Sequence, residues 1–247
     1  MKNNPTFLSI VISTYFWAGL FLISAILFPI SVLIWLFTFL FDKNLFLLHN
    51  FTSLWSSIIL AVNPYWRTKI TGKEKVRRGE TYVMVSNHQS GADILVLFKL
   101  FLPFIWVAKK ELFYVPFIGW NMSLNRYISL ERSRSKSKRM MMDKAVAVIR
   151  KGNSVMIFPE GTRTKDGNLQ PFKSGAFRLA LETGSPLLPI AIKGTFYAIK
   201  KGGFIIHKNH DLEAVLLDPI PFETIRDMEP REIALKVHDL IMKETRH

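Results

Sequence analysis

Residues 82–98 read Tyr-Val-Met-Val-Ser-Asn-His-Gln-Ser-Gly-Ala-Asp-Ile-Leu-Val-Leu-Phe. The opening apolar run, Tyr82–Ser86, has the character of a strand buried on both faces. From Ala92 to Phe101 the apolar residues return at helical spacing. A strand, a short polar loop and a helix in immediate succession form the repeating unit of an α/β layer fold. Working outward, Phe104–Ala108, Arg126–Leu130, Ser154–Phe158 and Leu187–Lys193 read as further strands, with Phe204–His207 and Ala214–Leu217 as edge strands. Ser135–Lys151 reads as a helix with Val146 and Ile149 on its inner face. Gly175–Thr183 is a helix stopped at Gly184, and Pro230–Lys243 is an amphipathic helix with Pro at its start. The expected fold class is therefore α/β, a mixed central sheet flanked by helices.

A different segment precedes this body. Residues 1–64 contain only Lys2, Asp42 and Lys43 as charged groups, and Phe7–Phe41 is uncharged throughout. As one helix that run would be about 53 Å long, against a hydrocarbon core of about 30 Å. It lacks the cleavage site and basic start of a signal peptide. Two readings stay open: a single tilted helix, or a structure broken near Pro29, whose ring removes a helical donor. Leu45–Val62 mixes His49, Asn50, Thr52, Ser53, Ser56 and Ser57 with Leu, Phe, Trp and Ile, which reads as an interfacial amphipathic helix. Trp17, Trp35, Trp55 and Trp66 are expected at headgroup level. The organisation read from this is a membrane-associated helical hairpin, 1–64, before an α/β domain, 65–247. Monotopic insertion is expected over full spanning; burial of the hairpin against protein is the alternative.

The 247 residues hold 33 Lys+Arg, 19 Asp+Glu and no Cys. Hydrophobic residues at 49% exclude intrinsic disorder. Without Cys there is no disulfide scaffold, thiolate nucleophile or Cys-ligated metal. The basic body suits an anionic membrane surface, a phosphorylated substrate or nucleic acid. The adjoining apolar segment favours lipid, and no nucleic-acid reading module is present.

Two loops carry chemistry. In Asn87-His88-Gln89-Ser90-Gly91-Ala92-Asp93, a His and an Asp five residues apart flank a permissive glycine, where a strand gives way to a helix. A carboxylate on one ring nitrogen fixes the tautomer and leaves the other nitrogen to accept a proton from a hydroxyl. This is the base half of a triad without a protein nucleophile; an exposed loop His beside a helix-start acid has the same spacing. In Phe158-Pro159-Glu160-Gly161-Thr162-Arg163, Arg163 is a planar fork suited to phosphate, and Glu160 is placed to bond a ligand or orient Arg163. A surface Glu–Arg pair in an ordinary turn is the plainer alternative. Arg132, Arg134, Lys136, Lys138 and Arg139 form a run without an acid, each contributing about 1 kcal/mol beside an anionic bilayer. Lys109 and Lys110 follow an expected strand, where either would meet a phosphate or cap the loop.

Together, and in this order about 70 residues apart, NHQSGAD and FPEGTR resemble motifs I and III of the glycerolipid acyltransferases, in the 1-acylglycerol-3-phosphate acyltransferase branch. The resemblance runs from about Tyr82 to Thr195 and includes Leu188–Gly194 as a counterpart of motif IV. Motif II departs from the pattern: Arg132 matches its terminal Arg, but Arg126 stands for its Gly and Ser129 for its large apolar residue. The resemblance implies that His88, oriented by Asp93, is general base on the 2-hydroxyl of lysophosphatidate. It implies an acyl-carrier-protein or coenzyme A thioester as co-substrate, with no metal or other cofactor. Lys109, Arg132, Glu160, Gly161, Thr162 and Arg163 are the implied substrate-binding residues, Arg163 and Lys109 on the phosphate. Implied alternatives are another lysophospholipid or glycerol 3-phosphate as acceptor. A non-catalytic basic membrane protein is the reading from another class. The expected location is the cytoplasmic face of the cell membrane, since both donors are cytosolic and the basic body adjoins the apolar segment.

Overall fold

The computed structural model describes residues 6–246; Lys2, read above as the one charge before Asp42, lies outside them. Two helices lead, α1 (Phe7–Thr38) and α2 (Phe46–Val62). Then follow β1 (Trp66–Thr71), β2 (Val83–Ser86), α3 (Ala92–Phe98), β3 (Phe104–Lys109), α4 (Ile118–Leu124), β4 (Ile128–Leu130), α5 (Ser135–Arg150) and β5 (Ser154–Ile157). The chain closes with α6 (Gly175–Thr183), β6 (Leu187–Lys193), α7 (Thr195–Ala198), β7 (His210–Leu216), α8 (Phe222–Ile225) and α9 (Pro230–Thr245). The seven strands form one sheet in the order β1-β7-β6-β2-β5-β3-β4. Every neighbouring pair is parallel except β6 and β7. This is the mixed α/β fold expected. The core is continuous through the centre of the sheet, where Val83, Val85, Val155, Leu188 and Ile190 are fully enclosed.

Parallel order places the carboxyl ends of β2, β5, β3 and β4 side by side along one edge, where α/β sheets hold their sites. The loop carrying His88 leaves β2, the loop carrying Arg163 leaves β5, Lys109 ends β3, and Arg132 follows β4. Two strand readings change. Phe204–His207 is no strand, because its backbone groups bond elsewhere: Phe204 C=O accepts from Trp17 Nε1, Ile206 N–H donates to Ser13 Oγ and His207 N–H donates to Ala198 C=O. β7 instead begins at His210, ahead of the expected Ala214. β1 had no counterpart in the sequence reading. Gly194 at φ +79 turns the chain after β6, and a Cβ there would lie 1.9 Å from Asp211 C=O, so only glycine fits.

The leading helices face the reverse of what an aqueous protein requires. α1 is one continuous helix through Pro29, which removes the break read there and leaves Ala25 C=O without its helical donor. Its buried residues are Ser13, Ser24, Ser31 and Thr38, while Phe7, Phe21, Leu22, Ile26, Leu33 and Phe37 point outward. Each buried hydroxyl donates to the carbonyl four residues back, so none is left unpaired. α1 is long and apolar enough to cross a membrane. Asp42, isolated in this apolar stretch, accepts Phe46 N–H and Leu47 N–H and so starts α2. α2 is inverted too: His49, Thr52, Ser53 and Ser56 are buried, and Phe46, Leu47, Leu54 and Val62 are exposed. Leu48, Trp55, Ile59 and Leu60 are buried as well, so the inner face of α2 is mixed, and the polar residues of the amphipathic reading lie against protein. Thr52 Oγ accepts from the amides of Asn121 and Asn125, and His49 Nδ1 pairs with Tyr127 OH at 3.3 Å. Burial holds the His49 imidazole down to about 4, and hence neutral. Trp55 and Trp66 are likewise buried in protein and are not headgroup anchors.

Candidate active site

At the carboxyl end of β2 the chain is tied to the rest of the sheet before it reaches His88. The Asn87 side chain substitutes for a strand: Nδ2 donates to Ile192 C=O at 2.8 Å and Oδ1 accepts Ile192 N–H at 2.7 Å. His88 N–H then donates to Glu160 Oε1 at 2.6 Å, and His88 C=O accepts Thr164 N–H at 3.0 Å. The backbone of His88 is thus fixed on both sides by the loop after β5. Its ring is fixed by two further contacts. Asp93 Oδ2 lies 2.7 Å from Nδ1, and the Phe158 ring stacks on the imidazole at 3.9 Å and 7°. Trp106 backs Phe158 at 5.3 Å.

Asp93 stands in the first turn of α3 and is fully buried. The same Oδ2 also accepts Gln89 N–H at 2.7 Å and Ser90 N–H at 2.8 Å. Those two donors hold this oxygen aimed at the ring. With a carboxylate at Nδ1, the proton belongs there, and Nε2 is left as the acceptor. The pair expected from the five-residue spacing is therefore assembled, and its arrangement is competent to remove a proton from a hydroxyl.

The cationic groups gather beside it. Arg163 Nη1 lies 3.8 Å from the position a Cβ on Gly91 would take, which sets the guanidinium against the His88–Asp93 loop. Arg132 is held below the usual arginine range, by desolvation first, with the charge of Arg163 adding to it and Glu111 opposing. These two guanidiniums share one electrostatic neighbourhood, an arrangement an anion between them relieves. Lys109 Nζ pairs with Glu111 Oε1 at 3.2 Å in the open. Glu111 is itself held below the ordinary carboxylate value, by a backbone hydrogen bond first and by Lys109 and Arg132.

Other members of the FPEGTR loop act differently from the sequence reading. Glu160 neither orients Arg163 nor faces outward. Both carboxylate oxygens are taken by backbone donors, His88 N–H and Gln170 N–H at 3.0 Å, so the residue joins the two loops. Thr162 Oγ1 accepts from Lys201. Gly161 has φ +72, and a Cβ there would fall 2.6 Å from Lys173 Nζ; the close approach its lack of a side chain permits is that of this ammonium. Asn87, Phe158, Thr164, Lys173 and Lys201 were not singled out. Asn87 and Phe158 open the two quoted motifs, but their partners come from other segments of the chain, which spacing does not show.

Glu160 titrates unusually. Its carboxyl is pushed up to about 7 from an ordinary 4.5, by burial first, with Asp93 adding and the two N–H bonds opposing. It borders a cavity of about 370 Å³ shared with Gln89, Asn168 and Arg246, which gives the proton a route to solvent. Between pH 4.5 and about 7 the folded chain keeps a proton that the unfolded chain has released. The stability this contributes is complete at low pH and lost as pH rises through the folded value. Glu160→Gln removes the titration. Relative to that variant, the wild-type melting temperature is expected to fall from pH 4.5 to 8, by the equivalent of up to roughly 3 kcal/mol. A constant offset between the two proteins across that range would refute the raised value.

Comparison with known proteins follows the same lines. Residues 67–193 match the profile of a family described as Acyltransferase. A chloroplastic 1-acyl-sn-glycerol-3-phosphate acyltransferase of Brassica napus is 38% identical over 186 residues, which cover 74% of this chain and 54% of the relative. Its counterpart in Arabidopsis thaliana is 37% identical over 186 residues, with 74% and 52% covered. The 1-acyl-sn-glycerol-3-phosphate acyltransferase of Saccharomyces cerevisiae is 34% identical over 175 residues, with 69% and 57% covered. The chain spans about half the length of the curated relatives it matches. The crystal structure of the 1-acyl-sn-glycerophosphate (LPA) acyltransferase from Thermotoga maritima superposes with a TM-score of 0.78 at 20% identity, over 96% of this chain and 94% of that one, and shares the fold.

Proposed function

The chain belongs to the acyltransferase family, and on that premise we propose that it moves a fatty acyl group from a thioester to the 2-hydroxyl of 1-acylglycerol 3-phosphate, giving phosphatidic acid. The observation that carries the reading is the His88–Asp93 pair with the Arg163 guanidinium against the same loop. A base and a phosphate-binding fork at that proximity suit an acceptor bearing both a hydroxyl and a phosphate.

His88 Nε2 takes the proton of the 2-hydroxyl as its oxygen attacks the thioester carbonyl. Asp93 holds the ring and stabilises the imidazolium that forms. The tetrahedral intermediate collapses and expels the thiolate, which takes the proton back from His88. Arg163, with Arg132 and Lys109 nearby on the adjacent strand ends, binds the phosphate. The steps need a base and an activated acyl donor, carried by acyl-carrier protein or coenzyme A, and no metal is asked for.

The outward apolar surfaces of α1 and α2 support a site seated on a bilayer: both expose Phe and Leu, and the buried residues of α1 are Ser and Thr. Residues 1–64 are the anchor in this reading and 65–247 the catalytic domain. Monotopic insertion at the cytoplasmic face sets the basic residues Arg134, Lys136, Lys138 and Arg139 toward anionic headgroups.

The test is acyl transfer by the full chain in phospholipid vesicles, with lysophosphatidate, another lysophospholipid and glycerol 3-phosphate as acceptors, each with both donors. Lysophosphatidate is expected to be the preferred acceptor. Arg163→Ala is expected to raise its apparent KM about 10- to 100-fold, the worth of a lost charge-assisted hydrogen bond or two, with a smaller effect on kcat. No transfer to lysophosphatidate, or an unchanged KM in the variant, would count against the assignment.

A further inference from the structure

Lys201 stands out among the cations of this surface because it grips main chain. Its Nζ donates to Arg163 C=O at 2.8 Å and to Thr162 Oγ1 at 2.9 Å, and among the described residues it has no carboxylate partner. The residue that presents the phosphate-binding guanidinium is thereby held at its own carbonyl from one side. On the other side, Thr164 N–H holds the next residue to His88 C=O at 3.0 Å.

The segment carrying Lys201 reaches in the opposite direction to the leading helix. A turn closed by Gly203 N–H on Lys200 C=O at 2.9 Å, with Gly202 at φ +72, reverses the chain directly after Lys201. Phe204 C=O then accepts Trp17 Nε1–H at 2.8 Å, and Ile206 N–H donates to Ser13 Oγ at 2.9 Å. The rings of Trp17 and Phe204 stack at 6.4 Å. Ser13 Oγ has a free lone pair for this because its own proton goes to Ser9 C=O. Thus α1 and the Arg163 loop are joined by one short segment, through hydrogen bonds at both ends.

We propose that Lys201 is a positioning residue for Arg163, and that through residues 201–206 it makes the grip on the acceptor's phosphate depend on how α1 is seated. The inference rests on the function proposed above. A displacement of α1 moves Phe204 and Ile206, the glycine turn passes it to Lys201, and the stem of Arg163 shifts with its carbonyl. The His88 ring is oriented at Nδ1 by Asp93 of α3, outside the Arg163 loop, so proton abstraction changes less than the grip on phosphate. The acceptor's affinity is what changes.

The experiment compares full-length wild type, Lys201→Met, Lys201→Arg and Trp17→Phe in phospholipid vesicles. Lys201→Met is expected to raise the apparent KM for lysophosphatidate about tenfold. The KM for the acyl donor and kcat stay within about twofold, a split that general damage to the fold would not give. Lys201→Arg recovers most of the loss, since it still reaches a carbonyl. Trp17→Phe keeps an aromatic ring against Phe204 but loses the N–H donor and part of the indole's packing area. It raises the acceptor KM in the same direction, and the double variant is less than the product of the two singles. Should Lys201→Met not fold, Trp17→Phe alone decides, because it lies outside the phosphate site. An unchanged acceptor KM in Trp17→Phe, multiplicative effects, or parallel losses in both substrates' KM would overturn the linkage. Wild type inactive toward lysophosphatidate would overturn the function beneath it, a result that no variant is needed to see.

Discussion

His88→Ala loses acyl transfer by about 10²- to 10⁴-fold, the usual worth of a positioned general base, while its binding to vesicles is unchanged. The imidazole is the one group at the junction of β2 and α3 with a free acceptor nitrogen, because Asp93 occupies the other. Alanine removes that acceptor and also the ring on which Phe158 stacks. Backbone placement survives, since His88 N–H and C=O are bonded to Glu160 and Thr164 whatever the side chain. The apolar faces of α1 and α2, which carry vesicle binding in the proposed function, lie elsewhere. Initial rates in vesicles, together with co-sedimentation of the variant with the same vesicles, check both halves. Turnover near the wild-type level would remove His88 as the base.

Asp93→Asn is expected to cut kcat by a similar factor, with less effect on the acceptor KM, and to destabilise the fold as well. One oxygen of Asp93 receives three donors: His88 Nδ1–H, Gln89 N–H and Ser90 N–H. An amide placed with its oxygen there accepts them more weakly and buries an NH₂ where Oδ1 already has no partner. The flipped amide sets its own hydrogens against all three donors. Either way a buried polar group goes unsatisfied, at a cost of about 1–3 kcal/mol. The chemical loss is separate, because a neutral amide does not stabilise an imidazolium. Thermal melting resolves the first effect, and kcat measured well below the variant's melting temperature resolves the second. A kcat within threefold of wild type would show that Asp93 serves only the loop.

Much of the fold was legible because burial on both faces leaves continuous apolar runs, as in β2, β5 and β6, and because Gly184 and Pro230 punctuate their helices as glycine and proline do. β1 was not legible: Trp66-Arg67-Thr68-Lys69, at the sheet edge, is apolar only at Trp66 and reads as loop. Phe204–His207 looked like a strand because its side chains are suited to one, but strand formation is decided by who takes the backbone bonds, and here α1 does. Hydropathy told how apolar α1 and α2 are but not which way they face. Direction was written in part in their hydroxyls, of which Ser13, Ser24, Ser31, Thr38, Thr52, Ser53 and Ser56 are enclosed. The His88–Asp93 pair was visible because it is local. Glu160 was misread because its partners, His88 and Gln170, are backbone groups, which leave no mark in side-chain spacing.

The bonds from Ser13 and Trp17 to residues 204–206 bear on how this protein is handled at the bench. Cutting away the greasy leader to obtain a freely soluble enzyme is an obvious shortcut. It would strand Phe204 C=O and Ile206 N–H without their partners. A shortened version is therefore a different reagent from the whole chain, one in which residues 204–206 lack the hydrogen bonds α1 supplies.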